Sequence, residues 1–135
     1  PDPFHHDSRR FEVATSCVPL MSGLRCSLKI MAEERSDDSQ LKKIQALSQD
    51  LWERLNNCKG IETLLDGPPP AGLVSFKLDD KLEKIKNSVL VDELGKKRIW
   101  IRELADPRCL RACTHTCTTE DEIKTLAEAI NNIVA

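Results

Sequence analysis

Apolar residues along the chain recur with two different periods, and the change from one to the other divides it into elements. From Val18 the spacing is helical. Leu20, Leu24, Leu28 and Met31 fall at intervals of four, four and three, which places them on one stripe. Thr15 or Ser16 supplies a hydroxyl cap just before this helix, and Pro19 suits its first turn. A polar stretch from Glu33 to Ser39 separates it from a second helix. There Leu41, Ile44, Leu51 and Leu55 share a face, Ser48 interrupts it and Gly60 closes it.

The period then drops to two. Ile61 to Leu65 reads as a strand, and Gly67-Pro68-Pro69-Pro70 is a rigid turn that neither strand nor helix can continue through. Leu73 to Leu78 forms the next strand, with Val74, Phe76 and Leu78 on one side. Leu82, Ile85 and Val89 mark a third helix ending near Gly95, and Ile99 to Leu104 and Cys109 to Cys117 are the last two strands. Thr119 with Glu122 makes a capping box for a final helix, whose apolar face is Ile123, Leu126, Ala127, Ile130, Ile133 and Val134. The order α-α-β-β-α-β-β-α predicts an α/β chain of the two-layer α+β kind: a small antiparallel or mixed sheet covered by helices on one side.

Bulk properties narrow the field. With 135 residues, 40% hydrophobic and 31% charged, the chain can build one real core. A net charge of −2, with basic and acidic residues interspersed, gives no field for nucleic acid or for an anionic membrane. No apolar run approaches the roughly 18 residues that span a bilayer, and no signal peptide is visible. The expected location is therefore intracellular, cytoplasmic or organellar. The first residues are Pro-Asp-Pro rather than methionine, as in a processed product, a fragment or a trimmed chain. Six cysteines permit disulfides, but without secretory signals and with a normal core they are expected as thiols.

Candidate chemistry concentrates between Arg98 and Glu122. A strict alternation puts Cys109, Arg111, Cys113, His115 and Cys117 on one face, with Leu110 and Ala112 on the other. A cationic face backed by an apolar one suits a strand whose outer side lines a site. Zinc is not expected there. Same-face neighbours on a strand sit about 7 Å apart, whereas zinc ligands lie about 2.0–2.3 Å from a single ion. His5-His6, adjacent in a loop, reads as solvent-facing. Arg111 is the sharpest candidate, because a guanidinium fork grips a carboxylate through two parallel hydrogen bonds. From the residues alone, the favoured reading of Arg102 and Arg111 is as surface ion pairs with Glu103, Asp106 or similar acids.

Four segments together carry a resemblance. CLRACTHTCTTEDEIKTLAEAI is similar to the C-terminal signature of the class V aminotransferase superfamily: an arginine on a strand, an aromatic or histidine shortly after, then T-x-x-E-I opening the last helix. RRFEVATSCVPLMSGL (Arg9 to Leu24), PPPAGLVSF (Pro68 to Phe76) and WIRELADPRCLRAC (Trp100 to Cys113) resemble its cysteine/cystine C–S lyase-like branch, related to the cysteine desulfurases. The resemblance covers the whole chain and the last third of such an enzyme. It implies the small C-terminal domain (17–135) of a fold type I pyridoxal-phosphate enzyme, preceded by an inter-domain arm (1–16), with the large cofactor domain absent from this chain. Thr15 is then implied to reach the phosphate of pyridoxal phosphate in the neighbouring subunit. Arg111 is implied to hold the substrate α-carboxylate, and Arg102 to contact substrate as well. The implied partners are cysteine or cystine as substrate and a second copy in a homodimer.

The function expected on this basis is the substrate-gripping part of a C–S lyase working by β-elimination, inactive alone because no lysine here matches the Schiff-base context. Two alternatives stand beside it. A cysteine desulfurase or other class V member would carry a nucleophilic cysteine on a mobile loop between the arginine-bearing strands, where the link from Glu103 to Arg108 is short and holds none. Cys109 beside Arg108 is the residue that keeps that alternative open. A truncated, non-catalytic relative would use the domain to bind a partner.

Overall fold

A computed structural model describes residues 5–11, 17–34, 38–79 and 85–134, and the chain divides into two compact units, 1–37 and 38–135. The first unit contains a 3₁₀ turn, Ser8–Phe11, and the helix α1, Val18–Glu34. The Arg9 side chain bridges both carboxylate oxygens of Asp7, which holds that carboxyl below its ordinary range. On α1 the expected stripe is present, with Leu20, Leu24, Leu28 and Met31 all exposed. Thr15 and Ser16, the expected caps, lie outside the described residues.

The second unit follows the predicted order: α2 (Ser39–Asn56), β1 (Ile61–Thr63), β2 (Leu73–Leu78), α3 (Asn87–Lys96), β3 (Arg102–Ala105), β4 (Arg108–Cys113) and α4 (Glu120–Val134). The four strands form one sheet in the order β1-β2-β4-β3, every neighbouring pair antiparallel. This is a two-layer α+β arrangement. One face of the sheet presents Val74, Phe76, Leu110 and Ala112 to Leu51 and Leu55 of α2, Leu90 and Leu94 of α3, and Ile123 and Ile130 of α4. Burying each large aliphatic or aromatic side chain there contributes about 1.5–3 kcal/mol.

Two local devices fix where elements stop. Gly72 brings β2 against the end of β4: a Cβ at that position would collide with the Thr114 carbonyl oxygen and lie 2.9 Å from Ile44 Cγ2. The ladder ends there, with the Thr114 amide donating to the Gly72 carbonyl at 2.8 Å. At the far end of α3, the Ile99 amide donates to the Leu94 carbonyl and the Arg98 amide to the Gly95 carbonyl. That is a Schellman motif, with Arg98 at φ 61 in the left-handed position usually held by glycine. Gly95 sits inside the helix instead, and the Trp100 ring packs 3.1 Å from where its Cβ would be.

Several expectations need correction. β4 stops at Cys113 rather than Cys117, because β2 begins at Leu73 and leaves nothing for residues 115–117 to pair with. His115 and Cys117 therefore leave the strand face and lie on a turn, closed by the Thr118 amide donating to the His115 carbonyl. β3 starts at Arg102 rather than Ile99, since Ile99 is consumed by the helix cap. β1 ends at Thr63. In α3 the inward positions are Leu90 and Leu94, whereas Val89 is exposed and Leu82 lies outside the described residues. In α2, Leu47 is buried and Leu41 exposed; Ser48 is buried too, its hydroxyl satisfied by the Gln45 carbonyl. The expected capping box is present: Glu122 N–H donates to Thr119 Oγ1 at 3.2 Å and Thr119 N–H to Glu122 Oε2 at 2.8 Å.

Candidate functional site: an arginine row on the open face of the sheet

β3 and β4 form a hairpin whose register sets Arg102 directly opposite Arg111. Paired residues project to the same side of a sheet, and the neighbours Leu110 and Ala112 point into the core. Both guanidiniums therefore rise from the opposite face. Ser75 of β2 lies opposite Arg111 on its other side, so a row Ser75, Arg111, Arg102 crosses three strands. Arg111 is half-buried and Arg102 exposed.

Directly opposed Cβ atoms stand about 4.5–5.5 Å apart, and like charges so placed destabilise a sheet. Among the described residues no acid forms an ion pair with either arginine. Glu103 projects to the other face, opposite Leu110, and Asp106 sits in the hairpin turn. Two forked cations side by side, without a protein counter-ion among those residues, make a receptor for a carboxylate or a similar planar anion.

The turn joining the two strands is only Asp106-Pro107, with a cis peptide bond, between the paired residues Ala105 and Arg108. It has neither length nor a cysteine to offer. Cys109 lies on the same face as Arg111, opposite Leu104, but is only 1% exposed, so the face is covered at that point. Cys113 is exposed and follows Arg111 by two, facing Leu73. All six cysteines are unpaired thiols. Among the described residues no group of three or more His, Cys, Asp and Glu side chains could hold a metal ion, and no helix is long and apolar enough to cross a membrane.

Sequence reasoning placed Arg102 and Arg111 on neighbouring strands but could not set them opposite each other. Ser75 was missed altogether. Register depends on where a turn begins and ends, and no single residue in β2 signals that its hydroxyl will flank Arg111. Thr15, the candidate phosphate ligand, lies outside the described residues.

No protein-family model matches the chain, and no curated protein sequence does. Solved structures do. A structure of C-DES, a lysine-to-alanine mutant with glycine covalently linked to its pyridoxal phosphate cofactor, matches 92% of this chain and 31% of its own at 36% identity and a TM-score of 0.79. A second, the cystine C–S lyase C-DES with its reaction product cysteine persulfide, matches 95% of this chain and 33% of its own at 35% identity and a TM-score of 0.79. The chain belongs to the class V aminotransferase superfamily, in its cystine C–S lyase-like branch. A NifS-like protein shares the fold at 20% identity, with a TM-score of 0.69 over 97% of this chain and 38% of its own. The chain spans about a third of the length of the two C-DES chains.

Pyridoxal phosphate is the cofactor of this superfamily branch. What the described residues offer such a cofactor's substrate is the arginine row, whose donor set fits an amino-acid carboxylate. Their lysines are occupied elsewhere where contacts are formed: Lys43 Nζ donates to the Thr116 carbonyl, and Lys29, Lys96 and Lys124 pair with glutamates three or four residues along their helices. Lys77, on the same face as Ser75, stands opposite Glu62 of the edge strand β1.

Proposed function

We propose that this chain is the C-terminal, substrate-gripping domain of a pyridoxal-phosphate-dependent C–S lyase acting on cysteine or cystine by β-elimination. The observation that carries the reading is the opposed pair Arg102 and Arg111, two cations without an acidic partner among the described residues. Arg111, half-buried and flanked by Ser75, grips the α-carboxylate through two parallel hydrogen bonds and fixes the orientation of the amino acid. Arg102 adds a second cation to the same face and raises the affinity for an anionic substrate. Thr15 contributes a hydroxyl to the cofactor phosphate, across the interface of a homodimer.

The cofactor, when bound, supplies the electron sink that lets the α-carbon lose its proton and the β-carbon release sulfur. Pyruvate, ammonia and a sulfide or persulfide are the products. The lysine that binds the cofactor belongs to a large domain preceding residue 1, so the 135-residue chain is inactive alone. A desulfurase acting through its own cysteine is disfavoured by the two-residue turn between β3 and β4, which cannot carry a swinging nucleophile.

The test is pyruvate release from cystine by this chain alone, and by the chain joined to its large cofactor domain. The reading expects none from the first and turnover from the second, with Arg111→Lys lowering kcat/KM about a hundred-fold because a point charge cannot replace the fork. Turnover unaffected by Arg111→Lys, or turnover by the chain alone, would overturn it.

A further inference from the structure

The six thiols differ sharply in surroundings, and one is placed beside a base. Cys109 is buried at 1% exposure. Cys58 is partly buried, donates to Asn131 Oδ1 at 3.3 Å, and has its pKa raised by burial, so its thiolate is disfavoured. Cys113 is exposed, its thiol 3.8 Å from the neighbouring Thr114 carbonyl oxygen, an acceptor that cannot take a proton away. Cys17 and Cys26 are exposed, with no hydrogen-bond partner for the thiol among the described residues. Cys117 is also exposed, and its Sγ lies 3.7 Å from His115 Nδ1.

This pair is held in place. The Thr118 amide donates to the His115 carbonyl at 2.9 Å, the His115 amide donates to Thr118 Oγ1 at 2.9 Å, and Lys43 Nζ donates to the Thr116 carbonyl at 2.7 Å. Every one of these bonds uses the backbone at 115–118, so the imidazole and the thiol are positioned without being consumed. Thr116 Oγ1 lies 3.1 Å from the same Nδ1, closer than the thiol, and the two share its one lone pair, so the rotatable Thr116 hydroxyl turns away when Nδ1 takes the thiol proton.

We infer that Cys117 and His115 form a nucleophile–base pair that undergoes thiol–disulfide exchange with small disulfides, making Cys117 a modification site separate from the arginine row. His115 Nδ1 takes the Cys117 thiol proton as Sγ attacks one sulfur of the disulfide RS–SR. The new Cys117–SR bond forms, the RS–SR bond breaks, and the departing thiolate takes the proton back from His115 to leave as RSH. One disulfide is consumed and one is made, so no outside oxidant or reductant enters. The ligand class is a low-molecular-weight disulfide, small enough to approach an exposed turn.

The test is incubation of the full chain with cystine, followed by alkylation and peptide mass mapping against time. Cys117 is expected to acquire the half-cystine adduct about ten-fold faster than Cys17, Cys26 or Cys113, and His115→Gln to remove that advantage while leaving the other three rates unchanged. The bonds that close the turn run through the His115 backbone, and its ring hydrogen-bonds only to its neighbours Thr116 and Cys117 among the described residues. The His115→Gln chain is therefore expected to keep its fold, with unchanged rates at the other thiols as the internal check. Equal rates at the four exposed cysteines, or a Cys117 rate indifferent to His115→Gln, would overturn the pair. The readout is an adduct on the protein rather than pyruvate, so its failure would leave the lyase reading untouched.

Discussion

Arg102 and Arg111 face each other across the β3–β4 ladder as a directly opposed pair of like charges on the open side of the sheet. A chain selected only for stability would set an acid against one of them. The free domain should therefore be strained by the pair. Arg102→Gln is expected to stabilise it by about 0.2–1 kcal/mol, measured by urea unfolding at low salt, with the gain shrinking as salt is added. A loss of stability would mean that Arg102 has a structural anionic partner instead.

Glycine at 72 is required by the close approach of β2 to Thr114. Gly72→Ala places a methyl against a backbone oxygen, which cannot rotate aside as a side chain can. The expected cost is about 2–3 kcal/mol by denaturant unfolding. Gly23, inside α1 with nothing within 4 Å of its Cβ position, gives the contrast. There the same substitution should stabilise α1 by about 0.5–1 kcal/mol, read as a gain in helical circular dichroism.

At the end of α3 the roles of Arg98 and Gly95 are exchanged relative to the usual pattern. Arg98 occupies the left-handed position, where a Cβ is unfavourable by about 1–2 kcal/mol. Arg98→Gly should raise the Tm by a few degrees, once the greater freedom of glycine in the unfolded chain is set against that relief.

Thr119→Ala removes the oxygen that accepts from the Glu122 amide and frees Glu122 from its reciprocal bond. A loss of about 1 kcal/mol is expected in thermal or urea unfolding, and faster amide exchange in the first turn of α4.

The order of elements was legible because each carries its own period: leucines at three and four in α2, alternation in β2, and a capping box ahead of α4. The ends of elements were not, and the misses share one cause. Cys113 to Cys117 continues to alternate, but a strand also needs a partner, and β2 begins only at Leu73. Ile99 looks like strand, yet its amide closes a helix. The site was legible in part for the same reason. Arg111 stands out by chemistry, while its position between Ser75 and Arg102 is fixed by pairing register, which depends on two turns and not on Arg111 itself.

The central claim is that the opposed arginines receive the carboxylate of an amino-acid thiol or disulfide. The measurement that tests it most directly is an NMR titration of the arginine side-chain Nε–H resonances of the full chain, with cysteine and, separately, with cysteamine, which lacks the carboxylate. We predict that cysteine shifts the Arg111 and Arg102 resonances and cysteamine does not, and that Arg111→Lys abolishes the response at Arg102. Equal shifts with both ligands, or shifts confined to arginines outside this row, would contradict the account.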